Sequence, residues 1–271
     1  MELRLMDRTG KESGKVKLPV QFDEEPRQDL IKRAVDSIQA NRRQPYGALP
    51  TAGKRASAKL PRRRRNYKTA YGRGISRVPR KIMSRRGGRM NWRGAFAPGM
   101  VGGRRAHPPK AEKSFKKSIN DKERQKAIRS ALAFTLSKDA VTKRGHLAPD
   151  HYPFALAKDA EAIDKTKEAV RLLVALGLEK ELVRAEVKKV RPGKGKMRGR
   201  RYRKKTSVLI VTSQSCPLTK AARNIAGVDA VAVHQLNAEI LAPGGAPGRL
   251  TLFTQGAIER LAKEKLFGEA Q

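Results

Sequence analysis

Three observations predict a single three-layer α/β/α domain with a mostly parallel sheet and a long extended loop leaving it. Beyond Gly145, short apolar runs alternate with helical patterns over short connections, which implies right-handed crossovers and a parallel sheet covered on both faces. Residues 37–111 contain no Asp and no Glu, and they are dense in Pro, Gly and Arg with few aliphatic side chains. Such a stretch buries too little to offset chain entropy, so by composition it should be disordered in water and hold no long helix or strand. Amphipathic helical patterns stand on both sides of it, so it reads as an excursion that returns to the domain. The expected organisation is one α/β domain over residues 1–271, an extended basic loop inserted at 42–111, and a second basic loop at 188–205.

Taken in order, residues 2–6 and 15–20 are short alternating pieces around a polar turn, which predicts a hairpin or two edge strands. Asp23-Glu24-Glu25-Pro26 has the acids and the proline of a helix start, and Leu30, Ile31, Ala34, Val35 and Ile38 then share one face. After the basic stretch, Asn120 with Glu123 has capping-box spacing ahead of a helix to about Ser137. Residues 152–157 predict a strand, 160–176 a helix stopped by Gly177, and 179–187 a second short helix. Ser207-Val208-Leu209-Ile210-Val211-Thr212 has the continuous apolar character of a strand buried on both faces. Helix is expected over 217–226, strand over 228–233, short helix over 236–241 and strand over 249–253, with Thr254 capping a last helix through Leu266.

The chain carries 62 Lys and Arg against 25 Asp and Glu, a formal charge of +37, and the excess is localised. Residues 37–111 hold 21 cations and residues 188–205, also acid-free, hold 11, so the remainder has 30 cations against 25 acids. A solvated surface interleaves both signs. These two runs do not, and the partner they imply is a polyanion.

Several chemistries are disfavoured. Gly72-Arg73-Gly74 has Arg77 where a dinucleotide fingerprint needs glycine, Gly193-Lys194-Gly195-Lys196 lacks the phosphate-loop spacer, and residues 10–15 are one position short of it. His107, His146, His151 and His234 are the only histidines; His146 and His151 flank Asp150 in a proline-containing loop and read as surface residues, not as metal ligands. No metal, no cofactor and no catalytic set is expected. The single cysteine, Cys216, excludes an intrachain disulfide, suggests a reducing compartment, and reads as an incidental thiol. No run approaches a membrane span or a secretory leader, so a soluble protein that stays where it is made is expected.

The basic runs carry further detail. Arginine outnumbers lysine in the long one, which suits bidentate phosphate contacts and stacking, and Tyr46, Tyr67, Tyr71, Trp92 and Phe96 are interleaved with the charges. Aromatics among cations fit irregular or single-stranded RNA, whose bases can stack on them. The candidate RNA contacts are Arg42, Arg43, Arg62, Arg63, Arg64, Arg65, Tyr71, Arg73, Arg77, Arg80, Arg104, Arg105 and His107 in the long run. In the second they are Lys194, Lys196, Arg198, Arg200, Arg201 and Arg203. An extended hairpin of this length spans at most roughly 100 Å, a reach suited to threading a large folded RNA. An alternative compatible with the same charges is an RNA-modifying enzyme whose α/β core carries a basic substrate clamp.

Asn41-Arg42-Arg43-Gln44-Pro45-Tyr46, Tyr71-Gly72-Arg73-Gly74-Ile75-Ser76-Arg77-Val78-Pro79-Arg80, Gly94-Ala95-Phe96-Ala97-Pro98-Gly99 and Gly102-Gly103-Arg104-Arg105-Ala106-His107-Pro108-Pro109 belong together. With Arg191-Pro192-Gly193-Lys194-Gly195-Lys196-Met197-Arg198-Gly199-Arg200 and Leu241-Ala242-Pro243-Gly244 they resemble the universal large-subunit ribosomal protein four family, its archaeal and eukaryotic branch most of all. The resemblance implies a cytoplasmic, non-enzymatic constituent of the large ribosomal subunit. Its expected partners are large-subunit ribosomal RNA, neighbouring ribosomal proteins and, at the loop tip, the nascent polypeptide in the exit tunnel. Carried over by motif, the tip falls near residues 77–95, with Arg85, Arg86, Arg89, Trp92 and Arg93 at the tunnel.

Overall fold

The structure is a computed structural model that describes residues 1–268. In chain order its main elements are β1 (Glu2–Met6), β2 (Glu12–Lys17), α1 (Gln28–Asn41), β3 (Arg80–Arg86), β4 (Arg89–Gly94), α2 (Asp121–Leu136), α3 (Lys138–Lys143), β5 (Phe154–Leu156), α4 (Thr166–Ala175) and α5 (Glu179–Glu186). There follow β6 (Lys189–Val190), β7 (Tyr202–Arg203), β8 (Leu209–Thr212), α6 (Pro217–Ala222), β9 (Asp229–Ala232), α7 (Ala238–Leu241), β10 (Thr251–Thr254) and α8 (Gln255–Lys263). The chain divides into two compact units, Met1–Arg42 with Lys116–Gln271, and Arg43–Phe115.

The first unit is the α/β domain. Its sheet has the order β2-β1-β5-β10-β8-β9, antiparallel between β1 and β2 and parallel at every other neighbour. Strand alternation sends successive side chains to opposite faces, and two separate cores follow from it. Leu3, Leu5, Ala155, Leu209, Val211 and Phe253 pack with Ile31 and Val35 of α1, Ile128 and Leu132 of α2, and Ile258 and Leu261 of α8. Met6, Phe154, Leu156, Ile210 and Leu252 pack on the other side with Leu172 and Leu173 of α4 and Leu218 of α6. The result is the expected three-layer arrangement. Thr254 caps the last helix, its hydroxyl accepting from the Ala257 N–H at 3.3 Å.

Three local expectations are corrected. The helix expected over 160–176 begins only at Thr166, because Ile163 is extended and turns its side chain into the core. The preceding turn, Lys158–Ala162, is 3-10 and directs Glu161 across the strand ends, where it bonds to Ser213 and Thr254. Asn120 sits at the N-cap of α2 without a side-chain capping bond, and Glu123 pairs with Arg33 at 2.8 Å instead of completing a box. The first long helix starts two residues beyond Pro26, since Glu24 is bound to Arg129 and the Glu25 carbonyl accepts from Ser130.

His146 is a further correction, being buried at 3% exposure rather than lying on a surface loop. Its Nδ1 is 2.8 Å from the Glu181 carboxylate, which also accepts from the Leu147 N–H, Arg184 and the Ser207 hydroxyl. Burial opposes the charge on Glu181, but Arg184, His146 and the Leu147 N–H outweigh it and hold the carboxyl down to about 2. This network ties the loop after α3 to α5 and to the entry of β8.

Candidate nucleic-acid interface

The unit Arg43–Phe115 contains 21 Lys and Arg and a single acid, Glu112. Its buried apolar residues are Ala70 and Ala95, both small, so no hydrophobic core holds it. Local devices replace one. The Thr69 hydroxyl donates to the Arg63 carbonyl at 2.9 Å and accepts from the Tyr71 N–H at 3.1 Å, closing the turn after the arginine run. The Ala95 N–H reaches the Pro79 carbonyl at 2.9 Å, and the Arg104 N–H the Phe96 carbonyl at 3.2 Å. Gly53 has φ +71 and lies against the backbone of Gly103 and Arg104, where any side chain would collide with main-chain atoms.

Residues 80–94 contradict the expectation of no long strand in this stretch. They form the antiparallel hairpin β3–β4, with Ile82 opposite Trp92 and Arg85 opposite Met90. The reason is local: residues 80–97 lack proline, Ile82 and Trp92 favour extended backbone, and Gly87-Gly88 supplies a two-residue turn. At the turn Arg86 faces Arg89, with Arg85 alongside, all exposed. Like charges opposite one another across a ladder are destabilising. An external anion would relieve that repulsion.

The cations lie over rings. Arg64 and Arg77 sit 5.2 and 4.8 Å from the Tyr71 ring centre. Lys68 and Arg85 sit 5.2 and 5.3 Å from that of Tyr67, and Arg80 sits 5.4 Å from that of Trp92. Such contacts orient a cation for about 0.5–1 kcal/mol at exposed sites without neutralising it. The field therefore remains available to a polyanion.

Among the expected contacts, Arg43, Arg62, Arg63, Arg64, Arg65, Arg73, Arg77, Arg105 and His107 are exposed, whereas Tyr71, Arg80 and Arg104 are half-buried. Arg42 differs from them, as it belongs to the first unit and pairs with Glu239 at 2.5 Å. At the tip Arg85, Arg86, Arg89 and Arg93 are exposed and Trp92 is half-buried. The second run forms a small arm. Here β6 pairs with β7, Val190 opposite Tyr202, around a 3-10 turn at Lys194–Arg198, and Lys194, Lys196, Arg198, Arg200, Arg201 and Arg203 are all exposed. One residue escapes a reading by charge alone. Phe115 lies beyond the acid-free border yet stacks on Tyr46, with ring centres 5.8 Å apart and 9° between planes, and Arg43 lies 4.3 Å from its centre. The signal was an aromatic flanked by Lys113, Lys116 and Lys117.

Parallel α/β sheets bind ligands beyond the carboxyl ends of their strands, and in the first unit that place is occupied. Glu161 lies there, accepting from the Thr254 hydroxyl at 2.5 Å, the Ser213 N–H at 2.9 Å and the Ser213 hydroxyl at 2.7 Å. Burial works against its charge, but these donors hold its carboxyl below the ordinary value. The Cys216 thiol beside it, 3.4 Å away, is pushed up by burial and by that carboxylate, the reverse of an activated nucleophile. Among the described residues no group of three or more His, Cys, Asp or Glu is placed to hold a metal ion, and no helix is long and apolar enough to cross a membrane.

The sequence model of the family described as "Ribosomal protein L4/L1 family" matches residues 16–264. The chain is 47% identical over 268 residues to the large ribosomal subunit protein uL4 of Nanoarchaeum equitans, covering 98% of this chain and all of that protein. It is 43% identical over 266 residues to the protein of the same name from Halobacterium salinarum, covering 97% of this chain and all of the relative. It is 47% identical over 262 residues to that of Methanoculleus marisnigri, with coverages of 96% and 98%.

Proposed function

The chain belongs to the ribosomal protein L4/L1 family, and from that membership we propose that it works as a structural, non-enzymatic constituent of the cytoplasmic large ribosomal subunit. The observation that carries the reading is the pairing of 21 cations with one acid in a unit that has no core of its own. Each phosphate contact releases condensed counterions, and a folded ribosomal RNA offers phosphates on every side of an inserted segment. The exposed arginines take phosphate oxygens in pairs, while Tyr67 and Tyr71, already held by cations, receive unstacked bases. The small arm at 188–205 adds a second anchoring point, and the α/β unit meets neighbouring ribosomal proteins.

Residues 42–111 act as an inserted loop whose tip reaches the wall of the peptide exit tunnel. The β3–β4 turn, with Arg85, Arg86 and Arg89 exposed, is the part that meets tunnel nucleotides and the nascent polypeptide. Two measurements test the proposal. Tagged protein should stay with the large particle through a high-salt wash; release into the free fraction would refute the structural role. Photo-crosslinkers at positions 86 and 89 should reach tunnel nucleotides or nascent chains, and crosslinks to solvent-side RNA alone would move the tip elsewhere.

A further inference from the structure

Glu112 needs a physical reason. It is the only carboxylate in the unit Arg43–Phe115, where a negative charge repels the phosphates that the other side chains attract. It lines a groove of about 820 Å³ whose other walls include Tyr46, Phe115, Arg105, His107 and Lys110. That volume lies within the roughly 300–1,000 Å³ of small-ligand sites. The walls are tied to each other by backbone, since the Ala48 N–H donates to the Pro109 carbonyl at 3.0 Å. Gly47 permits this approach, because a Cβ there would lie 2.7 Å from the Ala111 nitrogen. Tyr46, although stacked on Phe115, is still 52% exposed.

We propose that this groove is a base-specific pocket in which an unpaired RNA guanine stacks on Tyr46 while the Glu112 carboxylate accepts hydrogen bonds from its Watson–Crick edge. The inference rests on the RNA-binding reading above and adds a named base to it. Stacking on the Tyr46–Phe115 pair alone would take any base, since every base has a π-face. The carboxylate supplies the choice. Guanine presents N1–H and the N2 amine side by side, two donors for two carboxylate oxygens; cytosine and adenine present one amine each, and uracil a single N3–H flanked by repelling carbonyls. Arg105 and Lys110, on the same walls, hold the flanking phosphates. An acid among cations is thus tolerated where it faces a base edge instead of the backbone.

The test uses the full-length chain and three five-nucleotide RNAs, UUGUU, UUIUU with inosine at the centre, and UUUUU, in competition at one fixed salt concentration. The wild type should prefer the guanosine over the uridine oligomer by about tenfold, with inosine, which lacks the N2 amine, between them. Glu112→Ala should erase that preference without weakening the uridine oligomer. Tyr46→Ala should weaken all three by about tenfold, and Tyr46→Phe should restore them. Retained guanosine preference in Glu112→Ala, or equal gains for all three oligomers in that variant, would overturn the assignment and leave Glu112 as a plain charge partner of its lysines. Unchanged binding in Tyr46→Ala would overturn it as well. Large-subunit RNA binding with a normal salt slope serves as the separate control: if it persists while the oligomers fail, only this inference falls, and if it is lost too, the RNA-binding reading falls with it.

Discussion

The sheet-bearing unit and the unit Arg43–Phe115 belong to one chain, yet different forces hold them. The first buries Phe154, Phe253, Ile128, Leu132 and Leu173 on two faces of a sheet; the second buries Ala70 and Ala95. The first spends its charges internally, as Glu181 with Arg184 and His146, or Glu24 with Arg129. The second lays its arginines on Tyr67, Tyr71 and Trp92, which orients them and leaves them charged. A segment can therefore be given a shape by backbone bonds, close glycine contacts and ring faces while its binding energy stays in reserve for an anion. Its geometry is specified by the chain, and its stability is expected from the partner.

The strongest way to break this contrast is to remove one half of it. Replacing residues 43–115 by a short Gly-Ser link should leave the α/β unit folded, because the ends are already pinned: the Asn41 side chain accepts from the Lys117 N–H at 3.0 Å, and the Ser37 hydroxyl donates to the Lys117 carbonyl at 2.7 Å. Affinity for large-subunit RNA should fall by orders of magnitude with little change in thermal midpoint. A retained affinity would mean that the sheet-bearing unit carries the binding. Next in size, Ile128→Ala should cost about 2–5 kcal/mol in chemical denaturation, whereas Ala95→Gly should cost at most about 1 kcal/mol.

A pH titration sharpens the same contrast. Glu181 is held at about 2 against an ordinary 4.5, so its contribution is fully present above about pH 4.5 and is lost as pH falls towards 2. The acid limb of the stability curve should carry on the order of 3 kcal/mol from this group. Glu181→Gln should be less stable at neutral pH and should flatten that limb; an unchanged limb would assign acid sensitivity to other carboxylates. The smallest effect is expected at a single exposed cation. Arg73→Ala should leave stability within about 0.5 kcal/mol and lower the salt slope of RNA binding by about 0.7–0.9, measurable by filter binding across a salt series.

The two halves also differed in how far the sequence disclosed them. The strand at 209–212 was legible because a continuous apolar run is a local signal, and Thr254 was legible as a cap because a hydroxyl residue ahead of a helical pattern is local too. The break at Ile163 was not, because what bends the chain there is the bond from Glu161 to Ser213, 52 residues away. The burial of His146 escaped for a similar reason, its partner Glu181 being 35 residues distant. In the basic stretch the charge imbalance was plain from counting, but the average composition of the whole segment hid the hairpin between Pro79 and Pro98. The meeting of Tyr46 with Phe115 could not be read at all, because it depends on two distant flanks running side by side.

The difference in burial predicts that the sheet-bearing unit owns its stability and the basic unit acquires it from RNA. Backbone hydrogen exchange on the free chain and on the assembled large subunit tests this most directly. Amides of β8 and β10 should exchange slowly in both states, and those of β3 and β4 rapidly in the free chain and slowly in the particle. Hairpin amides as protected in the free chain as those of the sheet would contradict the account.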